Sequence, residues 1–240
     1  MPHTLLLLLA GPMQSWGTNS RFKIRDTGLE PSKSGVIGLL CAALGKPRDE
    51  THFTNQGKPT LAQLTELKMG VRVNREGVMK KDYHTAGGEH RKGRVYGVAK
   101  ASGGVGETVT SDRFYLADAD FLVGLESDDE NLLRQLNEAL ANPHWQIFLG
   151  RKSFVPAKPV YLPNDEGLRI DTSLEGALLF DWPPEQENER LRFVIEVNPE
   201  HPKAEARTDW PLSFVSAHRR FTLRYVCTDF RDKKGESDGK

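Results

Sequence analysis

The most constraining feature of the chain is the segment from Leu5 to Gly17, LLLLLAGPMQSWG. An apolar run without polar alternation is typical of a short strand that is buried on both faces. Gly11 and Pro12 end such a strand, because proline has no N–H for the sheet ladder and glycine tolerates the turn. The residues after this break are Met13, Gln14, Ser15 and Trp16. We therefore expect a rigid strand that presents an amide, a hydroxyl and an indole at its carboxyl end, where proteins often place binding groups.

Size and composition set only broad limits. The 240 residues suffice for one large domain, or for one domain with a smaller companion. Lysine plus arginine and aspartate plus glutamate both number 33, so the net charge favours no class of partner. Cys41 and Cys227 lie far apart and show no metal-ligand spacing, which favours the reducing cytoplasm over a disulfide scaffold. The leucine run is too short to span a membrane, and no basic segment precedes it as in a signal peptide. We predict no metal and no cofactor.

Residues 31–45 predict a helix with a polar N-terminus. Ser32 or Ser34 can cap this helix, an apolar body follows, and Gly45 stands where helices commonly end. Two interpretations of the N-terminus, which also carries Lys33, are open. It is either simply capped, or it holds a phosphate through its free N–H groups. The GxxxxGK[ST] spacing of a P-loop is absent.

Two basic segments are candidates for contact with nucleic acid. Between Arg21 and Arg25, cations alternate with apolar residues, which predicts a strand with one cationic face. This face is either a solvated edge or a ribbon that faces phosphates. At Gly150–Ser153, two cations and a hydroxyl follow a glycine turn. These residues are Arg151, Lys152 and Ser153.

A third basic segment, residues 88–111, is rich in glycine and poor in large apolar residues. It cannot bury much surface, so we expect it to project from the body as a flexible arm. A plain surface loop is the alternative, but its concentration of cations favours contact with nucleic acid. The cations we expect to make this contact are Arg91, Lys92 and Arg94.

The order of the predicted elements indicates the fold class. After the first strand and helix, we predict a strand at 69–74, a hairpin turn at 74–77, a returning strand at 78–85, one or two strands within 113–126, a helix after Asp128, and strands at 191–197 and 214–227. This order fits an α+β protein with a ferredoxin-like domain of the RRM-like (RAMP) type. We expect that domain to span residues 1–162 and to contain the inserted arm. Residues 163–240 would form a smaller β-rich part packed on the same body.

Catalytic signatures of the GxSxG, HExxH, Walker and Rossmann types are absent. Two groups could still support catalysis. In one, His84 would be a general base on a 2′-hydroxyl, and Lys81 beside Tyr83 would stabilise phosphate charge. The other is His90 beside Arg91 and Lys92. We favour binding, because the basic segments lie next to glycines or aromatic residues, as binding of single-stranded nucleic acid requires. For Trp16, two positions are open, a buried core site or a ring that stacks on a base.

Four motifs occur in an order and spacing that is known from one family. They are GPMQSWG at 11–17, PSKSGVIGLL at 31–40, DYHT at 82–85 and LGRKS at 149–153. In these motifs the chain resembles the CasD-type subunits (Cas5e family) of the type I-E CRISPR Cascade complex, over roughly its first two-thirds.

The resemblance implies an RNA-binding subunit of an antiviral surveillance complex. Such subunits cap the 5′ repeat-derived handle of the crRNA, fold a β-hairpin thumb over it, and contact the backbone and large subunits, with target DNA only an indirect partner. Residues 88–111 would be the thumb. In type I-E systems another subunit cuts the repeat, whereas the equivalent type I-C subunit is itself a metal-independent endoribonuclease. The alternative function for this chain is therefore repeat cleavage by Tyr83, His84 and Lys81. The residues expected at the RNA are Met13, Gln14, Ser15, Trp16, Arg21, Lys33, Ser34, His84, Arg91, Lys92, Arg94, Arg151, Lys152 and Ser153.

Overall fold

A large antiparallel sheet dominates the computed structural model of the chain. The structure describes residues 1–18, 23–49, 57–87, 97–99, 105–106, 108–164, 166–180, 182–186 and 189–236. The strands of the large sheet are β1 (His3–Ala10), β4 (Lys68–Arg75), β9 (Asp120–Ser127), β10 (Leu168–Arg169), β11 (Leu191–Glu196), β12 (Glu205–Ser213) and β13 (Arg220–Arg231). Their order across the sheet is β10-β1-β9-β4-β11-β13-β12.

The smaller strands and the helices surround this sheet. The strands are β2 (Met13–Gln14), β3 (Ile24–Arg25), β5 (Val78–Ala86), β6 (Val98–Ala99), β7 (Val105–Gly106) and β8 (Val109–Ala117). The helices are α1 (Lys33–Ala43), α2 (Leu61–Thr65), α3 (Glu130–Ala141) and α4 (Leu174–Leu178), with a 3₁₀ turn at Pro184–Gln186. The prediction of a mixed α+β protein is therefore confirmed. None of the helices in the described part of the chain is long and apolar enough to cross a membrane.

The leucine run forms an inner strand of the sheet, as predicted. β1 pairs with β9 on one side and with β10 on the other. Because side chains alternate along a strand, Leu5, Leu7 and Leu9 pack into the core that contains α1, α2 and α3. Leu6 packs into a second core, on the face that α4 covers. A strand between two cores fixes the position of whatever follows it.

The predicted pairing of residues 78–85 is wrong. We expected this strand to return along residues 69–74, but β5 instead pairs antiparallel with β8, from Val78 opposite Ala117 to Ala86 opposite Val109. The reason is that β4 already has a partner on each side, β9 and β11, so it offers no edge to β5. β5 and β8 form a smaller sheet with β2 and β3.

The hairpin of β5 and β8 flanks the segment predicted to form the arm, residues 88–111, most of which lie outside the described residues. Every described side chain of β5 is exposed or half-exposed, so this strand stands clear of the body. Within the arm, the two-residue strands β6 and β7 pair antiparallel. His90, Arg91, Lys92 and Arg94 lie outside the described residues, and so does Arg21.

The C-terminal strands continue the large sheet. β11 pairs with β4, and β13 and β12 follow it outward. The strand predicted at 191–197 is confirmed as β11, whereas the strand predicted at 214–227 begins only at Arg220 and ends at Arg231. β12 was not predicted, because its sequence is mostly polar and includes Pro211, a residue that sheets tolerate at edges such as this one. The domain boundary at 162 stays a prediction.

Candidate nucleic-acid interface

Three of the sequence motifs meet at the start of α1. Ser15 donates its backbone N–H to the carbonyl of Leu149 at 3.1 Å. Gly150 has φ +94°, and a Cβ there would collide with the carbonyl oxygen of Ser15, so only glycine fits. A Cβ on Gly35 would lie 2.8 Å from the ring of Trp16, so close packing requires glycine there as well. The segments 11–17, 31–38 and 149–153 are therefore held together by direct contact.

A groove of about 910 Å³ opens beside this junction. Its walls come from the open face of α1, from β3 and β8, and from residues 145–152 and 214–221. Among its described lining residues, one acid, Asp26, faces a set of cations. The exposed or half-buried cations are Arg25, Arg48, Arg113, Arg151, Lys152 and Arg219, whereas Lys46 is buried. The protein as a whole is neutral, so this excess of cations over acids is a local property of the groove.

Arg151 is held in the groove by contacts with the backbone and with a ring. Its Nη2 donates to the carbonyl of Phe114 at 2.8 Å, and the guanidinium lies 5.3 Å from the ring centre of Phe154. Partial burial and, next, the nearby charge of Arg113 lower the pKa of Arg151, and Arg25 acts in the same direction. Guanidinium groups held this close to one another create a positive potential that favours an anion between them.

Two aromatic rings at the groove are open to solvent. Trp145 is 45% exposed and Phe221 is 40% exposed. Trp145 donates its backbone N–H to the carbonyl of Ala42, which ties it to the end of α1. Exposed rings next to cations are typical of sites that bind single-stranded nucleic acid, because bases stack on the rings while phosphates contact the cations.

The predicted exposure of the residues after β1 is wrong. Gln14 is fully buried, and its Nε2 donates to the carbonyls of Leu9 and Ala119, both at 2.9 Å. Trp16 is 2% exposed and donates from Nε1 to Oε1 of Gln14, so the core position holds. These side chains turn inward because Met13 and Gln14 form β2, which pairs with β8.

Ser15 and Met13 have the same structural role. Ser15 is 6% exposed and donates from its hydroxyl to the carbonyl of Phe114 at 3.3 Å. Met13 is half-buried and packs against the main core. Of the four residues after β1 that we predicted at the RNA, only Ser15 and Trp16 border the groove.

The prediction that Lys33 contacts RNA is also wrong for its side chain. Lys33 is fully buried, and its Nζ lies 2.9 Å from a carboxylate oxygen of Glu196. The same ammonium lies 3.7 Å from the ring centre of Trp210. Burial lowers the pKa of Lys33, although the charge of Glu196 opposes this effect. The side chain has no open path to a phosphate.

The N-terminus of α1 is occupied by the chain itself. The backbone N–H of Lys33 donates to Oδ2 of Asp209 at 2.8 Å, and Ser32 accepts from the N–H of Gly35. Asp209 is in turn paired with Arg224, whose Nε donates to Oδ1 at 2.7 Å. Of the two interpretations of this terminus, capping is confirmed, because a carboxylate takes the place that a phosphate would need.

The other predicted residues divide between the groove and its surroundings. Ser34 is half-buried and borders the groove with Arg151 and Lys152. Ser153 is exposed but does not line it. His84 lies on β5, with its Nδ1 3.8 Å from Asp82, and is likewise outside the groove.

Several groove residues were not predicted as site residues. They are Lys46, Arg48, Arg113, Trp145, Arg219 and Phe221, whereas Arg25 ends the cationic segment predicted at 21–25. A weak signal existed for some of them, since Lys46 and Arg48 directly follow the end of α1 and Arg219 precedes Phe221 by two residues. No local pattern shows that these segments converge.

Comparison with known proteins identifies the family. The sequence model described as CRISPR-associated protein (Cas_Cas5) matches residues 4–227. The chain belongs to this family of CRISPR-associated proteins. It is 34% identical over 164 residues to the CRISPR system Cascade subunit CasD of Escherichia coli (strain K12), a match that covers 66% of this chain and 69% of that protein. The predicted resemblance is thus confirmed.

Two solved structures are similar to this Cas5-family chain over nearly its whole length. One, described as a crystal structure of a Cas protein, has a TM-score of 0.70 at 36% identity and covers 98% of each chain. The other is a chain of a CRISPR RNA-guided surveillance complex, with a TM-score of 0.72 at 34% identity. That match covers 95% of this chain and 89% of the other.

Proposed function

We propose that this chain is a non-catalytic, RNA-binding subunit of a type I-E CRISPR Cascade surveillance complex in the cytoplasm. It caps the 5′ repeat-derived handle of the crRNA and meets target DNA only indirectly. Membership of the Cas5 family and similarity to CasD support the place in a Cascade complex. The observation that carries the RNA-binding part is the groove, with its excess of cations over acids.

The chemistry of the groove favours one strand over a duplex. Its cations lie around a concave surface, and two exposed rings, Trp145 and Phe221, lie among them. Bases that are paired in a duplex have no free face to stack on such rings, whereas an unpaired strand offers one at every nucleotide. A handle without a complementary strand fits these requirements.

The fold supports the same assignment. We propose that the first part of the chain is a ferredoxin-like domain, because β1, α1, β4, β9, α3 and β10 follow the order βαββαβ. Both helices of this unit pack into one core, on one face of the sheet. The hairpin of β5 and β8 is inserted between the second and third strands, and we propose it as the base of the thumb that contacts the backbone subunit. The large subunit is the second protein partner.

The arrangement of β5 supports binding over cleavage. Side chains alternate along a strand, so Lys81 and Tyr83 share one face of β5 and His84 lies on the other. Lys81 contacts Asp112 at 3.7 Å, on its own side of the hairpin. A general base and a phosphate-stabilising cation must approach the same phosphodiester, and opposite faces of a strand do not favour this.

Two measurements test the proposal. We expect the full-length chain to bind single-stranded RNA of the repeat-derived handle and to co-purify with the other Cascade subunits and crRNA. Incubation with repeat RNA in EDTA should leave the RNA intact. Site-specific cleavage that is lost in His84→Ala would instead establish the metal-independent endoribonuclease. Assembly with its partners in the absence of any RNA binding would point to a protein scaffold.

A further inference from the structure

The groove is not chemically uniform along its length. Arg25 and Arg113 are register partners of β3 and β8, and Arg151 donates from Nη2 to the carbonyls of Arg25 at 3.3 Å and Phe114 at 2.8 Å. This end is therefore cationic. The other end is bordered by Trp145, which is tied to the C-terminal turn of α1. Lys46 and Arg48 directly follow this end of α1 and also line the groove, so what distinguishes this end is the exposed ring of Trp145.

Between these two ends, α1 leaves room above Gly38. A Cβ built on Gly38 meets no heavy atom within 4 Å, although this residue lies in the middle of a helix whose other face is core. From Gly35 to Ala42, α1 rises about 10 Å, which corresponds to about three base steps of 3.4 Å. Gly38 and Trp145 both line the groove, and its volume lies in the range of pockets that hold small organic groups.

We propose that the groove holds its nucleotide in one fixed orientation, with phosphate on Arg25, Arg113 and Arg151 and with an unstacked base in the space between Gly38 and Trp145. This inference rests on the proposed function, and it adds a statement of which part of the nucleotide each wall of the groove contacts. A splayed base gives the site a way to read the handle, since a base taken out of a stack exposes its edges to the protein. The phosphate end supplies affinity for any sequence.

Gly38→Leu tests the base pocket without changing a charge. The leucine fills the open space, and leucine is a better helix former than glycine, so the melting temperature should not fall. Gly176→Leu is the matched control, because Gly176 is an exposed glycine of α4 on the opposite face of the sheet. Its Cβ would meet its nearest neighbours only at 3.4 Å, an ordinary contact distance.

The probe is a synthetic RNA with the 5′ repeat-derived handle of the host's own CRISPR array, made with one abasic nucleotide at each position in turn. For the intact RNA, we expect Gly38→Leu to bind about tenfold more weakly than the wild type, with the same salt dependence. Gly176→Leu should bind like the wild type. One abasic position should weaken wild-type binding by a similar factor and should weaken Gly38→Leu no further, because the base and the leucine compete for one space.

Three results would overturn the inference, and they differ from failure of the proposed function. If Gly38→Leu binds like the wild type, no base enters this space. If Gly38→Leu weakens every abasic RNA to the same extent as the intact RNA, the leucine blocks the backbone instead of a base. If Trp145→Ala leaves affinity unchanged, the ring does not stack. If the wild type binds no handle RNA at all, the proposed function itself fails.

Discussion

The buried ion pair of Lys33 gives the sharpest test of how this structure is held together. Lys33 belongs to α1, whereas Glu196 ends β11, so their contact joins the first helix to the C-terminal strands. Replacing Lys33 by methionine keeps most of the length of the side chain and removes its charge. Glu196 then stays largely buried, with 14% of its side chain exposed, and loses its nearest cation.

The expected magnitude follows from what remains around Glu196. Removing one partner of a buried pair costs about 3–5 kcal/mol. Arg224 lies 3.8 Å from Glu196 and compensates part of the charge, so we expect the lower end, about 3 kcal/mol, for Lys33→Met. For a chain of this size, this lowers the melting temperature by roughly 6–12 °C.

Thermal and urea unfolding measure this effect. The matched control is Arg134→Met, which removes an exposed pair with Glu130 on α3 and should change the free energy of unfolding by about 0.5 kcal/mol or less. The double variant Lys33→Met with Glu196→Gln should recover part of the loss, because the unpaired charge is gone. The reasoning is refuted if Lys33→Met has the same melting temperature as the Arg134→Met control while its RNA binding weakens and becomes less dependent on salt. Lys33 would then contact RNA and would not hold the fold together.

Three further expectations concern the groove and its supports. Combining Arg151→Ala with Lys152→Ala should weaken binding of handle RNA and reduce the slope of log affinity against log salt by about 0.7 per lost phosphate contact; an unchanged slope would remove both residues from the site. Gly150→Ala should lower the free energy of unfolding by at least about 1–3 kcal/mol, since it adds strain at positive φ and a collision with Ser15; a melting curve like that of the wild type would contradict this packing. Burial lowers the pKa of Lys33 from 10.5, so the unfolded chain binds this proton more tightly than the folded chain does. In matched urea melts, the stability of the wild type relative to Lys33→Met should therefore rise as the pH increases toward 10.5. A stability difference that falls as the pH increases would refute the sign.

Elements with local signals could be predicted from the sequence. β1 was predictable because its leucines form one uninterrupted apolar run, and α1 because Ser32 caps it and Gly45 ends it with φ +63°. The third helix was predictable as well, since Asp129 accepts from the N–H of Leu132 at its start. In each case the deciding interaction joins residues only a few positions apart.

What could not be predicted depends on contacts between distant parts of the chain. The partners of Lys33 are 163 and 176 residues away, at Glu196 and Asp209, so its position after a capping serine looked open to solvent. The strand after Gly77 was assigned to the wrong partner because sequence does not show that both edges of β4 are taken. Cations of the groove were missed for the same reason.

Because β11, β13 and β12 extend the large sheet, we expect the rest of the chain to depend on the C-terminal third for its stability. A fragment that stops at residue 162 would leave one edge of β4 without its strand and would strip Lys33 of both carboxylates. Attempts to obtain a minimal RNA-binding fragment by trimming this end would therefore yield an unstable protein. Shortening the chain within the arm, between β5 and β8, would leave the sheet intact.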